Sequence, residues 1–420
     1  MYSQSSQTSI YSTCVAIDWA DSKHDLAIIN KSELENKQIS NQPTVIHQYF
    51  LNLCEDNGWN KVAVVIEKNR NLIMSVLESI PLLDIYTVHP TTSASYRNTF
   101  TPSGAKDDKK DSQSLLDLFL KHPEKVSRHQ MLNETDILGQ FCEKRRRLVD
   151  DRKAICGQLM AALKKSYPVV LDIFKDNSLY SLFVLDFLDK WPSSKQLMAS
   201  NLSSISRFLN QRTSKKEKNI ERIKSIKQTD SFLSESQQEM YLIETQVLLL
   251  RIRTLNEAIK RYEVKISELY TKNEDYDIIH SFHGAGATMG PRLLAFWGND
   301  RERYKECKDA LLSSEIAPVK IESGKSSYVR RRYLCNKYKQ QTFIEYAMGS
   351  LKKSKWAQAF YESAAKRGKL HNEILRALAF KWIRIMYKCW KDKQVYSEEK
   401  YIKQLIKKRV HYVDKLLEAC

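Results

Sequence analysis

A chain of 420 residues with 68 Lys and Arg against 50 Asp and Glu carries a formal charge of +18, and 42% hydrophobic residues supply cores for two or three domains, which excludes a miniprotein and a disordered polymer. No run of about 18 apolar residues occurs and the stretch 1–13 is polar and uncharged, so the expectation is a cytosolic protein with neither membrane span nor secretory leader. Eight cysteines, from Cys14 to Cys420, form no CxxC pair and no Cys/His cluster at zinc spacing, so free thiols are expected and structural zinc is not.

Cys14 to Ile17 and Leu26 to Ile29 predict two short strands with a polar turn at Asp21 to His24, together a hairpin. Val62 to Ile66 is apolar throughout, as a central strand covered on both faces would be, and Ile85 to Val88 predicts another strand, stopped by Pro90. Leu72 to Ser79 between them predicts a helix. Strand, helix, strand in this order defines an α/β domain.

From Asn133 to Tyr167 the pattern turns helical, with Leu138, Phe141, Leu148, Ile155 and Leu159 on one stripe and Pro168 as the stop. Leu248, Ile252, Leu255, Ile259, Tyr262, Ile266 and Leu269 step by four and three, a heptad seam. The two helices are expected to pair as an antiparallel coiled coil around a Ser- and Lys-rich stretch, Val169 to Glu235, with helical fragments.

His283-Gly284-Ala285-Gly286 precedes an apolar helix, Leu293 to Trp297. The pattern reads either as a phosphate-approaching turn, like those of helix-hairpin-helix DNA-binding elements, or as a plain tight turn. Beyond Trp356 the chain reads as helical, with an amphipathic basic helix through Ala377, Phe380, Lys381, Ile383, Arg384 and Trp390. Arg301 to Cys420 holds 29 basic and 13 acidic residues, whereas the first 300 residues hold 39 and 37. A basic third with interleaved Tyr and Trp points to nucleic acid, because cations release phosphate counterions and aromatic faces stack on bases. The competing reading is a solvated, Lys-rich helical surface.

Four acids stand where chemistry needs them. Asp18 ends the first strand, Glu67 ends the apolar third strand, and Asp108 and Asp111 share one face where a helix begins. Hard oxygen ligands converging at like-charge distance call for a cation, and a two-metal phosphodiester site with Mg²⁺ (or Mn²⁺) is the expectation. The competing reading makes Asp18 and Glu67 mere strand ends and Asp107, Asp108 and Asp111 an acidic helix start favoured by the dipole.

This order of acids resembles the RuvC-like branch of the ribonuclease H fold, to which Holliday-junction resolvases belong. Val15-Ala16-Ile17-Asp18, Val65-Ile66-Glu67, Val88-His89-Pro90 and Lys106 to Asp111 look like successive blocks of the DEDD transposases of insertion sequences, also called bridge recombinases, and Piv-type DNA invertases share these blocks. Asp107 stands where the family commonly has a small residue or Thr, and Ser112 where it has Ala. The spacing of Asp107 to Asp111 is four, so Asp108 is kept as the ligand. Phe282 to Gly286 resembles the family's glycine turn, and Ile316 to Val319 followed by Glu322-Ser323-Gly324-Lys325 resembles its block around a catalytic serine. Arg330-Arg331-Arg332 and Arg376 to Trp382 continue the likeness.

The resemblance implies a RuvC-like (ribonuclease H-like) α/β domain over 1–128, an antiparallel coiled-coil module with a helical insertion over 129–275, and a mainly helical, basic DNA-binding domain carrying the serine over 276–420. It implies that Ser323 attacks a DNA phosphodiester to form a phosphoserine link, that Lys325, Arg330 and Arg331 neutralise the transition state, and that Gly284 and Gly286 approach nucleic acid. Double-stranded DNA is the implied partner, with a structured bridge RNA as guide and a homo-oligomer, dimer or tetramer, formed through the coiled coil. The function implied is transposition of an insertion sequence. Rival readings are a Piv-type invertase, a Holliday-junction-resolving nuclease that uses water and the four acids, and a decayed, non-catalytic DNA-binding protein.

Overall fold

The computed structural model describes residues 10–30, 33–67, 72–100, 108–212, 219–222, 233–324, 326–330, 332–333, 335–410 and 412. The chain divides into two compact units, Met1–Met131 and Leu132–Cys420.

The first unit is a six-stranded mixed sheet with helices on both faces. Its elements are β1 (Thr13–Asp18), β2 (Lys23–Asn30), β3 (Glu33–Ser40), α1 (Pro43–Asp56), β4 (Val62–Glu67), α2 (Leu72–Glu78), β5 (Leu83–Val88), α3 (Pro90–Phe100), α4 (Asp108–Lys121) and β6 (Ser127–Arg128). The strand order is β3-β2-β1-β4-β5-β6; β1, β4 and β5 run parallel, and β2, β3 and β6 join antiparallel. This mixed α/β arrangement agrees with the expected RuvC-like domain.

β1 and β4 are buried on both sides because each contributes to two cores. Val15, Ile17, Val64 and Ile66 pack with Ile46 and Phe50 of α1 and Ile73 and Leu77 of α2. Cys14, Ala16, Ala63 and Val65 pack with Leu115, Leu116 and Phe119 of α4. β3 escaped the sequence reading. Its residues, ELENKQIS, are polar and mostly exposed, and continuous pairing with β2 from Asn30–Glu33 to Lys23–Ser40, rather than burial, makes them a strand.

The second unit is almost wholly helical. Its first helices are α5 (Glu134–Ser166), α6 (Pro168–Ile173), α7 (Leu182–Lys190), α8 (Ser194–Ala199), α9 (Leu202–Arg212) and α10 (Glu235–Thr271). Capping boxes open both long helices, Asn133 with Asp136 on α5 and Ser234 with Gln237 on α10. α5 and α10 pack antiparallel, Arg145 binding Glu263 and Arg152 donating to Asn256 Oδ1 at 2.8 Å. Of the predicted seam, Leu248, Ile252, Ile259 and Ile266 are buried, and Leu255, Tyr262 and Leu269 are partly buried against the cores. Pro168 ends α5 and opens α6 at once. Between the long helices, Phe174, Phe183, Phe187, Trp191 and Phe208 form an aromatic cluster, with Phe174 and Phe187 centroids 4.9 Å apart.

The remaining elements are α11 (Tyr276–His280), α12 (Met289–Trp297), α13 (Cys307–Ser313), β7 (Val319–Ser323), β8 (Ser326–Arg330), α14 (Lys337–Ser350), α15 (Lys355–Lys366), α16 (His371–Lys391) and α17 (Glu398–Lys407). The helices among them share one core with Leu138 and Cys142 of α5 and with Ile266 and Tyr270 of α10, and the β7–β8 hairpin stands outside it. The expectation that tryptophans of the basic third offer faces to bases is corrected here. Trp356, Trp382 and Trp390 are fully buried, their indole N–H groups donating to Tyr396 Oη, Ser350 Oγ and the Gly298 carbonyl. Each indole gains more from core packing with a satisfied N–H than it would exposed. Tyr328 and Tyr333 are the aromatics of this region that face solvent most openly. Among the described residues no helix is long and apolar enough to cross a membrane.

Candidate active site

β1 and β4 run in parallel register through the pair Ile17–Ile66, so the next residues, Asp18 and Glu67, end neighbouring strands side by side. Side chains alternate across a sheet. Asp18 follows Ala16 by two and Glu67 follows Val65 by two, which puts both on the face that α4 covers. Phe119, near the end of α4, meets Tyr86 at 4.8 Å between centroids, and Tyr86 meets Tyr11, which precedes β1, at 6.3 Å. α4 therefore runs opposite to β1, and its first turn lies toward the strand ends that carry Asp18 and Glu67.

That turn carries Asp108 and Asp111. The backbone of Asp108 opens the helix; its side chain lies outside the described residues, as does Asp107. Asp111 accepts a 2.7 Å hydrogen bond at Oδ2 from Arg97 Nη1 at the end of α3, while its Oδ1 is buried with no partner among the described residues. Ser112 of α4, where the family usually has Ala, is fully buried. Among the described residues no group of three or more His, Cys, Asp or Glu is placed to hold a metal ion.

The sequence reading missed two residues beside these acids and one behind them. Arg97 gave no signal, since pairing it with Asp111 requires α3 to fold against α4. Asp25 is the cross-strand partner of Asp18, lies on the same face and is buried, accepting from Gln38 Nε2 at 2.9 Å. His24, expected in the turn, is the second residue of β2 and 1% exposed. Its position two before Leu26 in an alternating strand was the available signal.

Ser323 is the last residue of β7, pairs with Ser326 and is exposed at the tip of a two-stranded hairpin. Gly324 follows at φ +55°, a conformation that favours glycine and tightens the turn. Alternation groups Val319, Ile321, Ser323, Ser326, Tyr328 and Arg330 on one face of the ribbon. Glu322 is on the other, bonded to Lys320 and approached by Ser327 Oγ at 3.5 Å. Glu322 is thus turned away from Ser323. Lys325 and Arg331 lie outside the described residues; Arg330 is exposed.

The glycine turn is built as a support for α12. Gly284 has φ +98°, and a Cβ there would stand 3.8 Å from the Tyr346 ring, whose hydroxyl donates to the His283 carbonyl at 3.0 Å. Gly286 accepts at its carbonyl from the Gly290 N–H at 2.8 Å at the start of the helix, and a Cβ there would meet open space. A recess bounded by His280 to Gly286 and by Lys353 opens beside the turn.

Comparison with known proteins matches these two regions separately. A family of transposases, the DEDD type of IS110, covers residues 15–168, and the transposase IS116/IS110/IS902 family covers residues 276–362. The chain is 24% identical over 408 residues, 93% of its own length and 96% of the relative's, to the "Mini-circle putative transposase for IS117" of Streptomyces coelicolor. It is 25% identical over 150 residues to the IS116 uncharacterized 44.8 kDa protein of Streptomyces clavuligerus, covering 35% of this chain and 37% of that one. It is 23% identical over 151 residues to the IS900 uncharacterized 42 kDa protein of Mycobacterium paratuberculosis, covering 36% and 38%. The protein is therefore an enzyme of DNA recombination, a transposase. It belongs to the IS110/IS116 family of insertion-sequence transposases of the DEDD type.

Proposed function

We propose that this transposase cuts and rejoins DNA through a covalent link to Ser323, assisted by a divalent cation at Asp18, Glu67, Asp108 and Asp111. The observation that carries the reading is the in-register ending of β1 and β4 in two carboxylates, on the face covered by the helix that opens with the other two. Hard carboxylate oxygens suit Mg²⁺ or Mn²⁺, and the buried Asp111 Oδ1, with no hydrogen-bond partner among the described residues, is an oxygen that a cation would satisfy. When bound, the ion would polarise a phosphoryl oxygen as a Lewis acid.

Ser323 does the bond exchange in this reading. Its Oγ attacks phosphorus, a Ser–O–P bond forms, the P–O bond to one deoxyribose oxygen breaks, and that oxygen leaves as a hydroxyl with the proton the serine gave up. Reversal by a second DNA hydroxyl rejoins the strand without external energy. Exposure at a hairpin tip beside Gly324 leaves Ser323 open to a bulky duplex. Arg330, on the Ser323 face, is assigned to phosphate neutralisation, and Lys325 and Arg331 are assigned the same role. Gly284 and Gly286 are assigned to backbone approach of nucleic acid.

Two partners complete the reading. A structured bridge RNA guides target choice, which rests on the family likeness and on the basic surplus after residue 300. The chain oligomerises through its helical hairpin, where Met240, Ile243, Val247 and Leu250 of α10 leave an exposed stripe at heptad spacing.

The test is to incubate the purified protein with labelled donor and target DNA and resolve the products on denaturing gels. A protein–DNA adduct lost in Ser323→Ala, with exchange lost in Asp18→Asn, is the expected result. Full exchange by Ser323→Ala with none by Asp18→Asn would replace the serine mechanism by metal-dependent hydrolysis.

A further inference from the structure

Immediately after Asp18 the chain leaves β1 and makes the turn Trp19 to Ser22 before entering β2 at Lys23, and this turn is held from beneath. The Ala20 N–H, two residues past Asp18, donates to His24 Nδ1 at 3.2 Å. Asn41, just past the end of β3, donates through Nδ2 to the Asp21 carbonyl at 2.8 Å and through its backbone N–H to the Ser22 carbonyl at 3.1 Å. Ala20, Asp21, Ser22 and Lys23 are exposed, whereas His24 is buried, so the ring is an interior anchor for a surface turn.

The ring is a costly choice for a core position. Burial lowers its pKa, outweighing the opposing effects of Asn41 and the Asp25 charge, so the neutral ring with a free acceptor at Nδ1 is favoured. With Nδ1 accepting from Ala20, the proton sits on Nε2, which has no partner of hydrogen-bond geometry among the described residues. An aliphatic residue would fill the site without that unmet donor. What the imidazole alone supplies is the acceptor for Ala20.

We infer that His24 and Asn41 are positioning residues for Asp18: they clamp the main chain just beyond it and so fix where its carboxylate stands at the end of β1. This rests on the reading of Asp18 as part of the acid site. His24 belongs to the opposite face of the sheet from Asp18, by alternation with Leu26 and Ile28, and therefore acts through the backbone rather than on DNA or a cation.

The experiment compares full-length His24→Phe, His24→Asn, Asn41→Ala and Asp18→Asn in strand exchange, and in the rise of melting temperature on adding Mn²⁺. Asn offers a side-chain oxygen near the place of Nδ1, whereas Phe fills the space without an acceptor. Exchange should fall about tenfold or more in His24→Phe and by about threefold in Asn41→Ala, and be largely restored in His24→Asn. The Mn²⁺-dependent rise should shrink in His24→Phe and return in His24→Asn. If His24→Phe does not fold, Asn41→Ala and His24→Asn still decide the matter: wild-type exchange in Asn41→Ala together with inactive, folded His24→Asn overturns the clamp. Wild-type exchange and an unchanged Mn²⁺ response in His24→Phe, beside an inactive Asp18→Asn, also overturns it. A fully active Asp18→Asn would instead remove the acid site itself, and the clamp's purpose with it.

Discussion

Arg97 donates a 2.7 Å hydrogen bond to Asp111 Oδ2, tying the end of α3 to the first turn of α4, and Asp111 Oδ1 is buried without a partner among the described residues. The pair is largely shielded, the side chains being 27% and 12% exposed, so it orients Asp111 more firmly than a surface bridge would. Arg97→Ala should lower strand exchange by about tenfold at saturating Mg²⁺, and Arg97→Lys by less, since a lysine keeps the charge without the planar fork. Rates measured over a Mg²⁺ titration check this; an Arg97→Ala protein at wild-type rate at every concentration would dismiss the pair.

At the opposite end of the sheet Asp84 is buried and gathers Tyr11, whose hydroxyl donates at 2.7 Å, together with Arg128 and Lys61. Burial alone would raise its pKa, but the hydrogen bonds from Tyr11 and Arg128 and the charges of Arg128 and Lys61 outweigh it and hold the carboxyl below its ordinary value. A depressed folded pKa contributes stability that is complete above the ordinary carboxylate range and is lost as pH falls through the folded value. Asp84→Asn should therefore destabilise the protein by about 1–3 kcal/mol at neutral pH, and the gap to wild type should narrow in acid. Urea melts at both pH values measure it.

Gly290 in the first turn of α12 packs directly against Tyr270 of α10; a Cβ there would collide with the Tyr270 ring at 2.6 Å and with the Ala285 carbonyl at 2.9 Å. The carbonyl belongs to the glycine turn and cannot swing aside as a side chain can. Gly290→Ala should cost about 1–3 kcal/mol and lower the melting temperature, whereas Gly286→Ala, with open space, should be far milder. Calorimetry of the two variants separates them.

Arg330 shares the exposed ribbon face with Ser323. If it meets a backbone phosphate, Arg330→Ala should weaken DNA binding evenly across sequences and reduce the slope of log affinity against log salt by about 1. Anisotropy titrations over a salt series check this, and an unchanged slope would assign Arg330 elsewhere.

The exposed α10 stripe yields a last prediction. Paired Ile243→Glu and Leu250→Glu should leave the monomer fold intact, because both side chains already face solvent, while reducing the oligomer mass seen by light scattering. A wild-type mass would place the interface off this stripe.

Much of the fold was legible because local pattern and final burial agree where an element has to be apolar on a defined side. β1, β4 and β5 read as apolar runs, and α5 and α10 as helical stripes, for that reason. β3 was not legible, since an edge strand owes its form to its neighbour's backbone, and the tryptophans of α15 and α16 looked like surface aromatics because composition does not tell which side of a helix meets a core.

By itself the sequence determined the acids at strand ends and at a helix start, the Ser-Gly turn and the basic last third, since residue type, spacing and charge are local properties. Only tertiary structure decided that Asp18 and Glu67 share a face, that Arg97 meets Asp111, that Asp25 stands across from Asp18 and that His24 lies buried under the turn. Those relations depend on strand register and on how helices cover a sheet, which are set by burial and pairing summed over the whole unit and by no single stretch of chain.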